Sequence, residues 1–291
     1  MSLHDRGESV SVAFPDHVGV YGGGRMGAGI AHAFLLGGAR VTVIETDEAA
    51  IAAARTRVER SIAQARARGL LDGGETPVPD RLTVTTDAAA LADAGLVVEA
   101  VPEIPDLKAD VLRTIERNAD AAVIATNTSS LSIDQLAGRL HDRDRLLGLH
   151  FFNPVPASSL VEIVRGSATP DHLVRRARAW VAHLGKTAIV VADSPGFASS
   201  RLGVAIALEA MRMVESGVAS AEDIDLAMTL GYKHPMGPLR TTDIVGLDVR
   251  LAIAEHLAEE VGERFSPPDI LRDKVERGEL GRKTGRGFFD W

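Results

Sequence analysis

His17 to Glu45 reads HVGVYGGGRMGAGIAHAFLLGGARVTVIE, and no other stretch of the chain leaves so few folds open. A short apolar run (Val18, Val20, Tyr21) enters Gly22-x-Gly24-x-x-Gly27, an alanine-rich helical pattern follows, and a second β-branched run ends on Glu45. Strand, turn, helix and strand in that order make the opening of a dinucleotide-binding unit. The first glycine permits a tight turn, the second lets backbone N–H groups approach a pyrophosphate, and the third lets the helix lie close on the sheet. The helix N-terminus, with its unpaired N–H groups and dipole, then faces the phosphates. Glu45 stands eighteen residues after Gly27, near the distance expected for an acid that binds an adenosine ribose. A carboxylate there repels a 2′-phosphate, so the expected cofactor is NAD. Arg25 and Met26, inside the turn, are counted among its contacts.

With 291 residues the chain has room for two domains. Its formal net charge of -8 argues against a nucleic-acid binder, which needs a broad basic face. The absence of cysteine excludes disulfides, thiolate metal ligands and a thiol nucleophile, and no metal site is expected. No apolar run reaches the length of a membrane span and the opening residues lack the zones of a signal peptide, so the expected location is the cytoplasm.

Residues 1–16 carry no periodicity and are expected to be a mobile leader. From Asp47 to Leu70, Ile51, Ala54, Val58, Ile62 and Ala65 form one helical stripe, while Arg55, Arg57, Arg60, Arg66 and Arg68 occupy the other sides. Such a run is either a solvated face or a grip on a phosphate-bearing substrate, and Ser61 and Arg68, seven apart, look out from one side. After a break at Asp72-Gly73-Gly74, short strands at Leu82 to Val84, Leu96 to Val98, Ala121 to Thr126 and Leu146 to His150 alternate with helices. That alternation implies a parallel sheet covered on both sides, with ligands at the carboxyl ends of its strands.

Asn127-Thr128-Ser129-Ser130 stands at one such end. These residues can cap the next helix, through Ser130 or Ser132, and still leave other hydroxyls for a ligand. His150 ends the next strand. Glu162, inside the apolar segment Leu160 to Val164, is costly to bury unless something pairs with it, and His150 is the nearest candidate in sequence. Together they offer a base, its orienter and a neighbouring polar contact. From Arg201 onward only helical patterns occur: Arg201 to Ser216, Ala221 to Leu230, Ile244 to Glu260 and Pro268 to Arg277. The expected division is therefore 17–194 for a Rossmann-like domain and 195–291 for an all-helical domain. Gly281 to Gly287 reads as a mobile-looking basic loop whose Lys283 either meets a phosphate or belongs to a plain surface tail.

The motifs GGGRMGAGIA, ATNTSSLSI, GLHFFNPVP, LVEIV, DSPGF, HPMGPLRTTDIVGLD and GRKTGRGFFDW, in this order, resemble the L-3-hydroxyacyl-CoA dehydrogenases, particularly the short 3-hydroxybutyryl-CoA dehydrogenases. The resemblance runs from about His17 to Trp291. It implies a Rossmann-like α/β domain for NAD, a helical C-terminal domain that forms a homodimer, and oxidation of an L-3-hydroxyacyl-CoA to the 3-ketoacyl-CoA and its reverse. Carried over by position, His150 is the general base, Glu162 orients it, and Ser129 bonds the substrate oxygen. Glu103, Lys108, Asn127, Ser129, Asn153 and Lys283 lie around the cofactor, with Lys108 also toward substrate. Ser61 and Arg68 fall where the family grips CoA, and HPMGP is a structural turn.

Several positions depart from the family pattern. Ser200 stands where an asparagine usually precedes the arginine, which shortens the reach of a catalytic contact. Ser158-Ser159 replaces the usual Met-Lys, Ile104 replaces a frequent asparagine, and Arg68 replaces a lysine. Alternatives are a carrier-protein thioester or free hydroxy acid as substrate, and a cofactor-binding protein impaired in catalysis. The arginine-rich helix disfavours a free acid.

Overall fold

The computed structural model describes residues 12–69 and 78–291, in two compact units, Met1–Asp193 and Ser194–Trp291. Residues 1–11 of the expected leader and the glycine break at 72–74 lie outside the described residues.

In the first unit the strands are β1 (His17–Tyr21), β2 (Arg40–Ile44), β3 (Leu82–Thr85), β4 (Leu96–Glu99), β5 (Val123–Thr126), β6 (Leu146–Phe151), β7 (Leu160–Arg165) and β8 (Thr187–Ala192). They form one sheet in the order β3-β2-β1-β4-β5-β6-β7-β8. The helices are α1 (Arg25–Leu36), α2 (Glu48–Ala67), α3 (Pro105–Asn118), α4 (Ile133–Ala137) and α5 (Asp171–His183). Strand order reverses between β1 and β4, so the crevice for a ligand opens at the carboxyl ends of those strands. Val18, Val20, Val41, Val43, Leu96 and Val98 are buried, as near-continuous apolar runs must be when helices cover both faces. Asp47 caps α2 by accepting from the Ala50 N–H at 2.8 Å, and Ser132 caps α4 through the Gln135 N–H at 3.2 Å.

One pairing breaks the parallel pattern. β7 runs antiparallel to β6, and His150 stands opposite Glu162. Directly opposed residues of an antiparallel pair point to the same face of the sheet, so the turn at 152–159 brings these two side chains together.

The leader expectation fails at its inner end. Val12 and Phe14 pack on the core, the Phe14 ring stacks on Phe34 with centroids 5.8 Å apart, and the buried Trp180 donates its indole N–H to the Ala13 carbonyl at 2.9 Å. A segment too short to show a period is held here by the Phe14 ring and the Trp180 indole.

The second unit contains α6 (Ser199–Glu215), α7 (Ala221–Leu226), α8 (Pro238–Val245), α9 (Leu247–Val261) and α10 (Asp269–Glu276). Val204, Leu208, Met211, Leu239, Leu247, Leu257 and Leu271 are among the buried residues of its core. Two expectations change here. The helix expected from Ile244 is two helices, because Gly246 at φ +108° interrupts it. The HPMGP turn feeds directly into α8, with Pro238 in its first turn. The basic loop is also pinned: the Gly281 N–H donates to the Arg286 carbonyl and Lys274 Nζ to the Gly287 carbonyl, both at 2.7 Å, while Asp243 holds the aromatic end by accepting from the Phe288 and Phe289 N–H groups, both at 2.9 Å, and from the Trp291 indole at 2.8 Å. No described helix is long and apolar enough to cross a membrane.

Candidate active site

The glycine turn has the geometry a dinucleotide requires. Gly22 adopts φ +93°, a conformation that side-chain-bearing residues rarely enter. A Cβ on Gly27 would lie 1.8 Å from the Gly22 carbonyl oxygen, so the start of α1 can approach the turn only because this residue is glycine. At Gly24 a Cβ would meet nothing within 4 Å, which leaves the backbone open to a ligand. Glu45 lies over the turn, with Oε1 accepting from the Gly23 N–H at 2.7 Å. These residues fit NAD. Gly27→Ala is expected to destabilise the first unit by about 3 kcal/mol through overpacking against backbone, and to abolish NAD binding. Thermal unfolding with and without NAD checks both effects.

Beside the turn, Met26, Ala100, Val101, Glu103, Asn127, Ser129, His150, Phe151, Phe152 and Asn153 line a cleft of about 330 Å³. It gathers residues from the carboxyl ends of β4, β5 and β6, where the parallel register aligns them. His150 is 7% exposed, and its Nδ1 lies 2.8 Å from Oε2 of the fully buried Glu162. The Phe152 ring packs against the imidazole with centroids 4.5 Å apart. Asn127 accepts the Phe151 N–H at 2.9 Å, tying the end of β5 to the end of β6.

Glu103 organises the 127–130 loop. Its Oε1 accepts from Thr128 Oγ at 2.6 Å, the Ser129 N–H at 2.8 Å, the Ser130 N–H at 3.1 Å and Ser129 Oγ at 3.3 Å. Burial alone would raise the pKa of Glu103, but Lys108 and these donors outweigh it and hold the carboxyl below its ordinary value.

The expected ligand contact from Lys108 is not available. Lys108 is 1% exposed, and Nζ lies 2.8 and 3.0 Å from the two Glu99 carboxylate oxygens, 3.2 Å from the Val101 carbonyl and 3.2 Å from Glu103 Oε2. An ammonium has three protons, and all are committed within the fold. Lys108 holds the two acids, Glu99 and Glu103. Glu99 also accepts from Thr126 Oγ at 2.7 Å and the Val101 N–H at 2.7 Å. Sequence reading passed over Glu99, although an acid closing a buried strand, as Glu45 follows β2, was the available signal.

A second cleft, about 320 Å³, is lined by Arg25, Ala28, Gly29, Arg57, Arg60, Ser61, Gln64 and residues 153–156. Asn153 belongs to both clefts. Arg57, Arg60, Ser61 and Gln64 stand at helical intervals on one face of α2. Arg68 is at the C-cap of that helix and does not line this cleft. Arg57 and Arg60, about three and two turns nearer the start of α2 than Arg68, are the arginines of that helix that line the cleft. Arg57 Nη1 also donates to the Gly23 carbonyl at 3.3 Å.

Ser200 and Lys283 belong to the second unit. Ser200 is in the first turn of α6. Lys283 Nζ lies 2.6 Å from each carboxylate oxygen of Asp248, and this pairing holds the Asp248 carboxyl below its ordinary pKa against the effect of burial.

Family models match most of both units. That for the NAD-binding domain of 3-hydroxyacyl-CoA dehydrogenase covers residues 17–194, and that for the C-terminal domain of 3-hydroxyacyl-CoA dehydrogenase covers 196–291. The chain is 43% identical over 282 residues to a 3-hydroxybutyryl-CoA dehydrogenase of Mycobacterium tuberculosis, covering 94% of this chain and 98% of that protein. It is 37% identical over 275 residues to a probable 3-hydroxybutyryl-CoA dehydrogenase of Bacillus subtilis, covering 94% and 96%. Among solved structures, the (S)-3-hydroxybutyryl-CoA dehydrogenase of Ralstonia eutropha superposes with a TM-score of 0.91 at 37% identity, covering 95% and 99%. The chain belongs to the 3-hydroxyacyl-CoA dehydrogenase family and is an NAD-dependent dehydrogenase.

Proposed function

We propose that the chain interconverts a short L-3-hydroxyacyl-CoA, of 3-hydroxybutyryl-CoA type, with its 3-ketoacyl-CoA, and that His150 is the general base. The His150–Glu162 pair beside Ser129 and Asn127, in a cleft at the strand ends below the glycine turn, carries this reading. In the oxidative direction the C3 hydroxyl proton passes to the imidazole as the C3 hydrogen leaves as hydride, and a ketone forms. NAD, when bound, supplies the hydride acceptor. Nδ1 is held by Glu162, which assigns proton transfer to Nε2, and the buried carboxylate stabilises the imidazolium that results. Ser129 bonds the substrate oxygen, while Glu103 sets the loop that carries Ser129. In the reverse direction the imidazolium returns the proton to the C3 oxygen.

The second cleft, with its three arginines, suits the phosphates of CoA, and it adjoins the first at Asn153. Replacing Arg57 and Arg60 together by alanine is expected to raise KM for a CoA ester on the order of tenfold or more, the scale of lost hydrogen bonds to a charged group. KM for a short thioester without phosphates should change little. Equal effects on both esters would count against this cleft as the carrier site.

A homodimer formed through the helical unit completes the proposal. Leu202, Leu226, Leu230, Tyr232 and Val249 expose apolar surface there, which favours a protein contact. The activity is tested by mixing the protein with NADH and acetoacetyl-CoA and following NADH absorbance. Rapid loss is expected, and cofactor binding without turnover would contradict the assignment.

A further inference from the structure

His32 is a histidine that neither the strand ends nor the proposed chemistry uses. It lies in the middle of α1, is 3% exposed and does not line either cleft. Its Nδ1 is 2.7 Å from Ser61 Oγ on α2, and Ser61 does line the arginine cleft. The charge near it comes from Lys186, whose Nζ donates to the Val155 and Ser158 carbonyls at 2.7 and 2.5 Å and so holds the turn that forms the opposite wall.

The protons on this pair decide what Ser61 can offer. A hydroxyl has a single proton. If Ser61 spends it on Nδ1, only lone pairs face the cleft, and these repel an anion. If Nδ1–H donates to Ser61 Oγ, the hydroxyl proton is left for a ligand. Only the second arrangement agrees with walls that carry Arg25, Arg57 and Arg60.

We propose that His32 is a positioning residue for substrate: it donates Nδ1–H to Ser61 Oγ and thereby turns the Ser61 hydroxyl proton into the arginine cleft, toward a phosphate oxygen of the acyl carrier. This rests on the CoA reading of that cleft. Burial and the Lys186 charge push the imidazole pKa down to about 4, so the ring is neutral and has one N–H to place.

The test compares KM and kcat for acetoacetyl-CoA with those for the N-acetylcysteamine thioester of acetoacetate, which has no phosphate. His32→Leu, and His32→Gln in case the first folds poorly, should each raise KM for the CoA ester on the order of tenfold, as one lost hydrogen bond to a charged group would. The values of kcat and of KM for the truncated thioester should hold. Asparagine places an amide near the Nδ1 position, so His32→Asn should restore KM. Adding His32→Leu to Ser61→Ala should cost nothing beyond Ser61→Ala alone. The proposal is overturned if the His32 variants leave KM for the CoA ester within about twofold of the parent while Ser61→Ala raises it. It is equally overturned if they raise KM for both thioesters alike. If Ser61→Ala and the Arg57/Arg60 double variant also leave KM unchanged, the CoA reading of the cleft is what has failed.

Discussion

Replacing His150 by glutamine is expected to lower kcat on the order of 10²- to 10⁴-fold, the range supplied by a positioned general acid–base group. The imidazole is held from one side by Glu162 at 2.8 Å and packed from another by Phe152. Glutamine approximates the shape and can bond the carboxylate, but it cannot take up a proton at neutral pH. Affinity for NAD should be retained, because the glycine turn and Glu45 are untouched by the change. Steady-state kinetics in both directions, with NADH binding followed by fluorescence, checks the two halves of this expectation. A fall in cofactor affinity equal to the fall in rate would mean that the variant had disturbed the fold instead.

The second large effect is on stability. Lys108→Met removes the only cation that the fold places against Glu99 and Glu103 among the described residues. Breaking a buried ion pair from one side leaves uncompensated charge, at a cost of about 3–5 kcal/mol. Here two carboxylates are left within reach of one another, and Glu99 is fully buried. Chemical denaturation should therefore shift strongly to lower denaturant. Adding Glu99→Gln to Lys108→Met should recover much of the loss, since the remaining acid, Glu103, keeps its donors from Thr128, Ser129 and Ser130. If Lys108→Met unfolds like the parent, the buried triad is not holding the loop beside the active cleft.

Much of this arrangement was legible in the chain, for identifiable reasons. The glycine turn and Glu45 are local: every element that gives them meaning lies within about thirty residues, so pattern alone locates them. Glu162 betrayed itself by being an acid in an apolar strand, and only His150 was near enough to be named. The antiparallel return of β7 that makes them partners was not legible, because an extended segment carries no mark of direction. The partners of Lys108 within the fold were not legible for a related reason. The resemblance places it around the cofactor and toward substrate, and only the end of β4 beneath it shows where its charge is spent. The His32–Ser61 contact depends on how α1 packs on α2, which periodicity cannot give. Gly246 was hidden within an apolar pattern that runs on either side of it, and its positive φ breaks a helix that the pattern alone would continue.

The account stands on an imidazole supported by a buried carboxylate, and Glu162→Gln tests that support with almost no change of shape. The measurement is the single-turnover rate of NADH oxidation at saturating acetoacetyl-CoA, compared between the parent and Glu162→Gln. The expected result is a fall of at least about tenfold with unchanged NADH affinity, because the charged imidazole loses its counter-charge. An unchanged rate in a correctly folded variant would contradict the assigned mechanism.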